Sequence, residues 1–177
     1  MKKIVTILSV CLIAHHLHAQ DRFETVKSGQ KAPELEYADP SGKTLKLSEL
    51  TKNRIVLLDF WASWCGPCRA ASPRVVQIYN TYSNKKFKNA KKGFTVVSIS
   101  LDRDKQAWID AIKKDNLSWP YHMCDFKGKP ALIYGVQFIP QSFLIDEKGN
   151  IIGQYNSLEQ AEDQLKKLLT PEKSHKG

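Results

Sequence analysis

Residues 59–73 read DFWASWCGPCRAASP and bring two cysteines, two tryptophans and two prolines into one short segment. The segment continues an apolar run, RIVLLDFWA at 54–62, of the kind that a fully buried strand shows. Gly66 then allows a turn, and Pro67 suits the first turn of a helix, where its missing N–H costs nothing. The sequence therefore predicts that a buried strand delivers Cys65 to the start of a helix.

A cysteine at a helix N-terminus is expected to be reactive. Unpaired N–H groups and the helix dipole favour a thiolate there, and C-x-x-C cysteines can have a pKa of about 7 or lower. Cys68 follows one helical turn after Cys65, within reach of a disulfide. We expect Cys65 to be the accessible thiol that attacks a disulfide. Cys68 would be the more buried thiol that resolves the mixed disulfide.

Asp59 is a carboxylate within an otherwise apolar strand. Burial would raise its pKa towards neutral pH, which suits a group that accepts the proton of Cys68 during resolution. A partly solvated structural role is the alternative. Replacement by Asn distinguishes the two, because only the loss of a proton acceptor slows resolution.

Hydrophobic periodicity over the rest of the chain predicts one α/β domain. A central mixed β-sheet flanked by helices is expected, with an N-terminal β-hairpin extension. The predicted strands lie at 54–62, 94–100, 141–146 and 151–155, and the last two form a hairpin. The predicted helices are one between the first two strands, one at 102–115 and one at 157–169 with Ser157 as N-cap; the extra hairpin covers 33–50 and turns at 39–42.

The N-terminus, MKKIVTILSVCLIAHHLHAQ, is typical of a secretory signal peptide. Its apolar run is shorter than the roughly 18–20 residues that a membrane span needs. Cys11 as a lipoprotein acceptor is the alternative, although Val10 stands where a small residue is usual. The predicted division is a cleaved signal peptide at 1–19, a tail at 20–27, the domain at 28–170 and a tail at 171–177. Export predicts a periplasmic protein.

Charge and the remaining cysteine give few further indications. Loss of the signal peptide removes two lysines and no acids, so the formal net charge falls from +9 to +7. Five lysines lie in 83–93, without the interleaved arginine and aromatic residues that nucleic-acid surfaces favour. A solvated loop is the simpler interpretation, and a docking patch for an acidic protein or an anionic lipid surface is the alternative. Cys124 is expected to be a free thiol, with a redox-sensitive role as the other possibility.

No metal or cofactor is predicted. A closed zinc site needs four ligands, and beyond the C-x-x-C pair the mature chain offers only Cys124, His122 and His175.

The motif W-C-G-P-C after an apolar strand, with Asp59 before it and Pro73 within the following helix, resembles the thioredoxin superfamily. The flanking segments GQKAPELEYADPSGKTLKLSEL and YGVQFIPQSFLIDEKGNII extend the likeness. They resemble exported TlpA-like and ResA-like thiol-disulfide oxidoreductases over most of 28–170. The resemblance implies a thioredoxin fold and a cis Ile139–Pro140 peptide bond beside the cysteine pair, with the Ile139 backbone free to pair with an extended substrate.

The resemblance also implies a function and partners. It points to a periplasmic disulfide reductase with protein disulfide clients, apocytochrome c among the candidates. A membrane thiol protein would supply electrons. A monomer is expected by default, since nothing in the sequence indicates a stable dimer. CGPC is the context of strongly reducing thioredoxin, whose couple has a potential of about −270 mV. The residues expected to contact substrate are Trp64, Gly66, Pro67, Ile139 and Pro140.

This sequence departs from its exported relatives at three positions. Ala71 stands where many of them carry Glu, Asp59 where they often carry Asn, and Gln141 where Thr often follows the cis proline. The site therefore looks more like a general thioredoxin than a specialised cytochrome-maturation reductant.

Two alternative functions use the same fold. A peroxiredoxin-like thiol peroxidase needs Pro and Thr or Ser before the attacking cysteine, where this chain has Leu58 and Ala62. A copper-binding thioredoxin-fold module could use the cysteine pair with His122, although such modules space their cysteines further apart.

Overall fold

The computed structural model describes residues 26–171. The predicted signal peptide and most of both predicted tails lie outside these residues. The described part begins with Val26, whose side chain is buried in the core, two residues before the predicted start of the domain. No helix within the described part is long and apolar enough to cross a membrane.

The predicted α/β class is confirmed. In chain order the elements are β1 Glu36–Ala38, β2 Thr44–Lys46, α1 Leu47–Thr51, β3 Ile55–Trp61, α2 Gly66–Tyr82, β4 Phe94–Ser100, α3 Lys105–Lys114, β5 Tyr121–Cys124, α4 Lys129–Ile133, β6 Gln141–Ile145, β7 Ile151–Tyr155 and α5 Leu158–Lys167. A five-stranded mixed sheet has the order β5-β4-β3-β6-β7, and β1 and β2 form a separate antiparallel hairpin. The central strand β3 runs parallel to β4 and antiparallel to β6.

Strand β3 is apolar almost throughout because both of its faces are buried. On one face Leu57 packs in a cluster with Val75 and Ile78 of α2. On the other face Leu58 packs in a second cluster with residues of α1 and β6 and with Tyr134. A strand covered on both faces shows a continuous apolar run rather than alternation, which is why 54–62 was recognisable from sequence.

Two predicted elements need correction. The hairpin expected over 33–50 forms only as β1 and β2, and the chain then turns into α1, which buries Leu47 and Thr51 one turn apart. The helix expected at 102–115 begins only at Lys105, because the Asp104 side chain caps it by accepting from the N–H of Ala107 at 2.8 Å. Two short elements, β5 and α4, were not assigned from the sequence.

Candidate active site

The cysteine pair lies where the central strand passes into the first long helix. β3 ends at Trp61, and Cys65 is the N-cap of α2. Cys65 and Cys68 form a disulfide with their Cα atoms 5.2 Å apart. The backbone N–H of Cys68 donates to Cys65 Sγ at 3.1 Å. This N–H is one of the unpaired donors of the first helical turn, so it favours negative charge on that sulfur.

The expected difference in accessibility between the two cysteines is small in this disulfide form. Cys65 is 5% exposed and Cys68 is 3% exposed. Gly66 and Pro67 are exposed beside them. Gly66 is the first residue of α2 and not a separate turn, and the space where its Cβ would lie is open. At Gly66, therefore, no side chain stands between the disulfide and an approaching client protein.

The loop before Cys65 is fixed from two sides through Ser63. Its N–H and its hydroxyl donate to the two carboxylate oxygens of Asp102, at 2.9 and 2.6 Å. Its carbonyl accepts from Arg69 Nη1 at 3.0 Å, and the same guanidinium forms an ion pair with Asp115. Asp102 is only 1% exposed and also accepts from the hydroxyl of Ser100 at 2.6 Å. Three hydrogen bonds of Ser63 thus hold the turn that presents Cys65.

Asp59 is buried behind the cysteine pair, as the sequence predicted. Its residue is 7% exposed, and its carboxylate lines a cavity of about 290 Å³ together with Cys68 and Ala71. Burial raises the pKa of Asp59 to about 6, and a hydrogen bond from the Ser142 hydroxyl to Oδ1 at 3.2 Å opposes that rise. The carboxyl group therefore changes its charge close to neutral pH.

The second wall of the site comes from the loop before β6. The Ile139–Pro140 peptide bond is cis, as predicted, and the Ile139 carbonyl oxygen lies 3.8 Å from Cys65 Sγ. Because a disulfide sulfur carries no hydrogen, this is a contact and not a hydrogen bond. Two aromatic side chains flank the site, with Trp64 66% exposed and Phe138 82% exposed. Phe138 was not singled out from the sequence, and only its position next to the Ile-Pro step could have indicated it.

Cys124 and His122 lie on β5, which is two strands away from β3 in the sheet. The thiol of Cys124 is buried and donates to the carbonyl oxygen of Asp102 at 3.5 Å; burial raises its pKa to about 12. His122 stacks on Trp119, and burial lowers its pKa to about 4. Among residues 26–171, no group of three or more His, Cys, Asp or Glu side chains is arranged to hold a metal ion.

Comparison with known proteins agrees with this geometry. The redoxin family model matches residues 27–169. The chain belongs to the redoxin family. This redoxin is 31% identical to the thiol-disulfide oxidoreductase ResA of Bacillus thuringiensis subsp. konkukian over 146 residues, which cover 82% of the chain and 79% of the relative. The ResA of Bacillus subtilis is 30% identical, over 73% of this chain and 67% of that protein.

A solved structure supports the same family assignment. A thiol-disulfide oxidoreductase from Bacteroides fragilis superposes on this redoxin with a TM-score of 0.70 and 35% identity, over 79% of this chain and all of that chain. The redoxin is thus a ResA-like member of the thioredoxin superfamily, and it is a thiol-disulfide oxidoreductase that carries its cysteine pair at Cys65 and Cys68.

Proposed function

We propose that this redoxin is a periplasmic disulfide reductase. In the proposed mechanism Cys65 attacks the client disulfide, Cys68 resolves the intermediate and Asp59 accepts the proton of Cys68. The observation that supports the proposal most directly is the hydrogen bond that the Cys68 N–H donates to Cys65 Sγ at the start of α2. It distinguishes the two sulfurs, because only one of them lies at the positive end of the helix.

The reaction transfers two electrons to the client in two exchange steps. The Cys65 thiolate attacks one sulfur of a client disulfide, the client S–S bond breaks, and the other client sulfur leaves as a thiolate. Cys68 then gives its proton to Asp59 and attacks Cys65 Sγ. The mixed disulfide breaks, the second client sulfur leaves as a thiolate, and the Cys65–Cys68 disulfide forms. The two client thiolates take up protons, one released by Asp59 and one from water, so the client ends with two thiols and the enzyme ends oxidised.

Asp59 is suited to its part in the second step by its place and its charge. It shares a cavity with Cys68, and the outer wall of that cavity includes the exposed residues Asn156 and Glu159, so a proton accepted there can leave to solvent. With a pKa of about 6, most of the carboxyl groups are ionised at pH 7 and ready to accept a proton.

We infer the reducing direction from the small number of groups that stabilise the Cys65 thiolate. A strongly stabilised thiolate favours the reduced enzyme and makes it an oxidant. Here Pro67 contributes no N–H, so the helix offers Cys65 Sγ the N–H of Cys68. The nearby cation Arg69 is engaged with Asp115 and with the Ser63 carbonyl. The buried charge of Asp59 also disfavours a second negative charge nearby. These features support a reducing couple.

We propose that the client binds as an extended segment against the Ile139 backbone. This places the client sulfur near Cys65, since the Ile139 carbonyl lies 3.8 Å from Cys65 Sγ. Trp64 and Pro140 would contact the client side chains, and exposed Gly66 and Pro67 would let its backbone approach. Apocytochrome c is one candidate client.

The proposed location requires a source of electrons outside the cytoplasm. After one turnover the enzyme is oxidised, so a membrane thiol protein must reduce it again before the next. The location itself rests on the signal peptide inferred at 1–19. N-terminal sequencing of the protein recovered from a periplasmic fraction tests it, and a mature chain that still begins at Met1 would reject export by cleavage.

The reduction potential of the Cys65/Cys68 couple tests the proposed function. The mature protein is equilibrated in dithiol buffers of known potential and read by thiol alkylation, with Cys65→Ser as the control without a couple. We expect a value of about −250 mV or below. A value of about −120 mV would reverse the proposed direction of electron flow. Trapping with Cys68→Ser then identifies clients as mixed disulfides on Cys65.

A further inference from the structure

A row of buried polar side chains crosses the main sheet at the level of Asp59. In the sheet register Asp59 of β3 pairs with Ser98 of β4 on one side and with Ser142 of β6 on the other. Residues paired in register point to the same face of a sheet, and all three are buried among the apolar side chains of that face. Such positions normally carry hydrophobic residues, so the two hydroxyl groups beside Asp59 call for an explanation.

The two serines have different partners. The Ser142 hydroxyl donates to Asp59 Oδ1 at 3.2 Å, whereas the Ser98 hydroxyl accepts from Trp119 Nε1 at 2.9 Å. Within residues 26–171, Ser142 supplies the one side-chain hydrogen bond to this carboxylate. Ser142 also lines the cavity that Asp59 shares with Cys68. It is therefore the group that can fix where the carboxylate points.

We propose that Ser142 is a positioning residue for the resolution step, whose hydroxyl holds the Asp59 carboxylate at the cavity wall facing Cys68. This inference rests on the proposed role of Asp59 as proton acceptor. The hydroxyl restricts rotation of the carboxylate about its terminal bond, and by donating a hydrogen bond it favours the ionised form that can accept a proton. The hydrogen bond of Ser142 goes to Asp59, so in this proposal Ser142 acts through Asp59.

The other charged and titratable groups around Asp59 do not replace this contact. Arg74 lies on the same cavity but is paired with Glu162 of α5. Glu159, Tyr155 and Cys68 line the same cavity. His122 of β5 pairs in register with Ser98 of β4, so it lies two strands away from Asp59 in the sheet.

Carboxyl-carbon NMR titration of Asp59 in the oxidised protein tests the contact itself. Ser142→Ala should move the titration midpoint of Asp59 upwards by about one pH unit, because the ionised form loses its donor. Ser142→Thr keeps a hydroxyl at the same position and should restore the midpoint. Ser98→Ala is the matched control, since it removes a hydroxyl of the same row and depth that does not bond to Asp59.

Single-turnover kinetics with a peptide disulfide test the role in resolution. In Ser142→Ala, the pH at which the resolution rate falls on the acid side should rise by the same amount as the titration midpoint of Asp59. The rate of the first attack by Cys65 should stay unchanged. A midpoint and an acid limb that match those of the wild type would overturn the inference. That result would leave the proposed reductase intact, because the potential of the Cys65/Cys68 couple tests that function separately.

Discussion

Replacement of Asp59 by Asn is expected to stabilise the fold at neutral pH. Asp59 is 7% exposed on the central strand, and burial is the main cause of its raised pKa of about 6. Asn has nearly the same shape, can still accept the hydrogen bond of Ser142 and cannot ionise. The variant therefore imitates the protonated form of Asp59 at every pH.

The size of the effect follows from linkage between protonation and folding. The pKa of Asp59 rises from 3.8 to about 6 on folding, and one unit corresponds to about 1.36 kcal/mol. Ionised Asp59 therefore costs about 3 kcal/mol of folding free energy above pH 6. The sign is opposite to that of a salt-bridged acid: this cost is absent below about pH 4, grows between pH 4 and 6, and is complete above pH 6.

Urea unfolding of the oxidised protein between pH 3.5 and 8 measures this difference, with tryptophan fluorescence as the signal. Asp59→Asn should exceed the wild type by about 3 kcal/mol at pH 7 and by close to zero at pH 3.5, with the same denaturant dependence. Asp110→Asn, at an exposed site on α3, is the control and should change stability by less than about 0.5 kcal/mol. A difference that is constant across the pH range would refute the reasoning.

Three further predictions concern the surroundings of the site. Trp64→Ala should raise the KM for a protein disulfide client by about tenfold and leave reduction of a small aromatic disulfide unchanged, and equal losses on both substrates would exclude a role in client contact. Asp102→Asn should lower the free energy of unfolding by about 2 kcal/mol. One amide oxygen cannot accept all the hydrogen bonds that the buried carboxylate receives from Ser63 and Ser100. An unchanged urea midpoint would contradict this prediction. Cys124, buried and with a pKa raised to about 12, should resist iodoacetamide at pH 8 until the protein unfolds, and rapid labelling of the native protein in mass spectra would show that the site is open.

The sequence was sufficient for the parts of the fold that depend on local signals. The β3–α2 unit combines a continuous apolar strand, a C-x-x-C pair and Pro67 in the first helical turn, and each of these acts over a few residues. Strand β4 and the β6–β7 hairpin carry similar local patterns. By contrast, α4 spans only Lys129–Ile133, which is too short to show helical periodicity. Strand β5 is a four-residue edge strand whose pairing with β4 depends on the rest of the sheet.

The same distinction holds within the candidate site. The cysteines and Asp59 could be identified because their residue types are unusual in their local setting. Asp102 and Ser142 could not, since each matters through a partner that is distant in sequence: Ser63 lies 39 positions from Asp102, and Asp59 lies 83 positions from Ser142. The sequence placed Asp102 inside a helix, whereas its carboxylate is committed to the loop before Cys65. Only the assembled sheet brings these groups together.

The buried carboxylate on β3 has a consequence for how this protein would change under selection. If heat resistance alone were selected in a library of variants, substitutions that remove the charge of Asp59 should be among the first to spread. If growth depended instead on rapid disulfide turnover, the same substitutions should disappear. Opposite enrichment of Asp59 variants in two such libraries would show that Asp59 is retained for its chemistry although it lowers the stability of the fold.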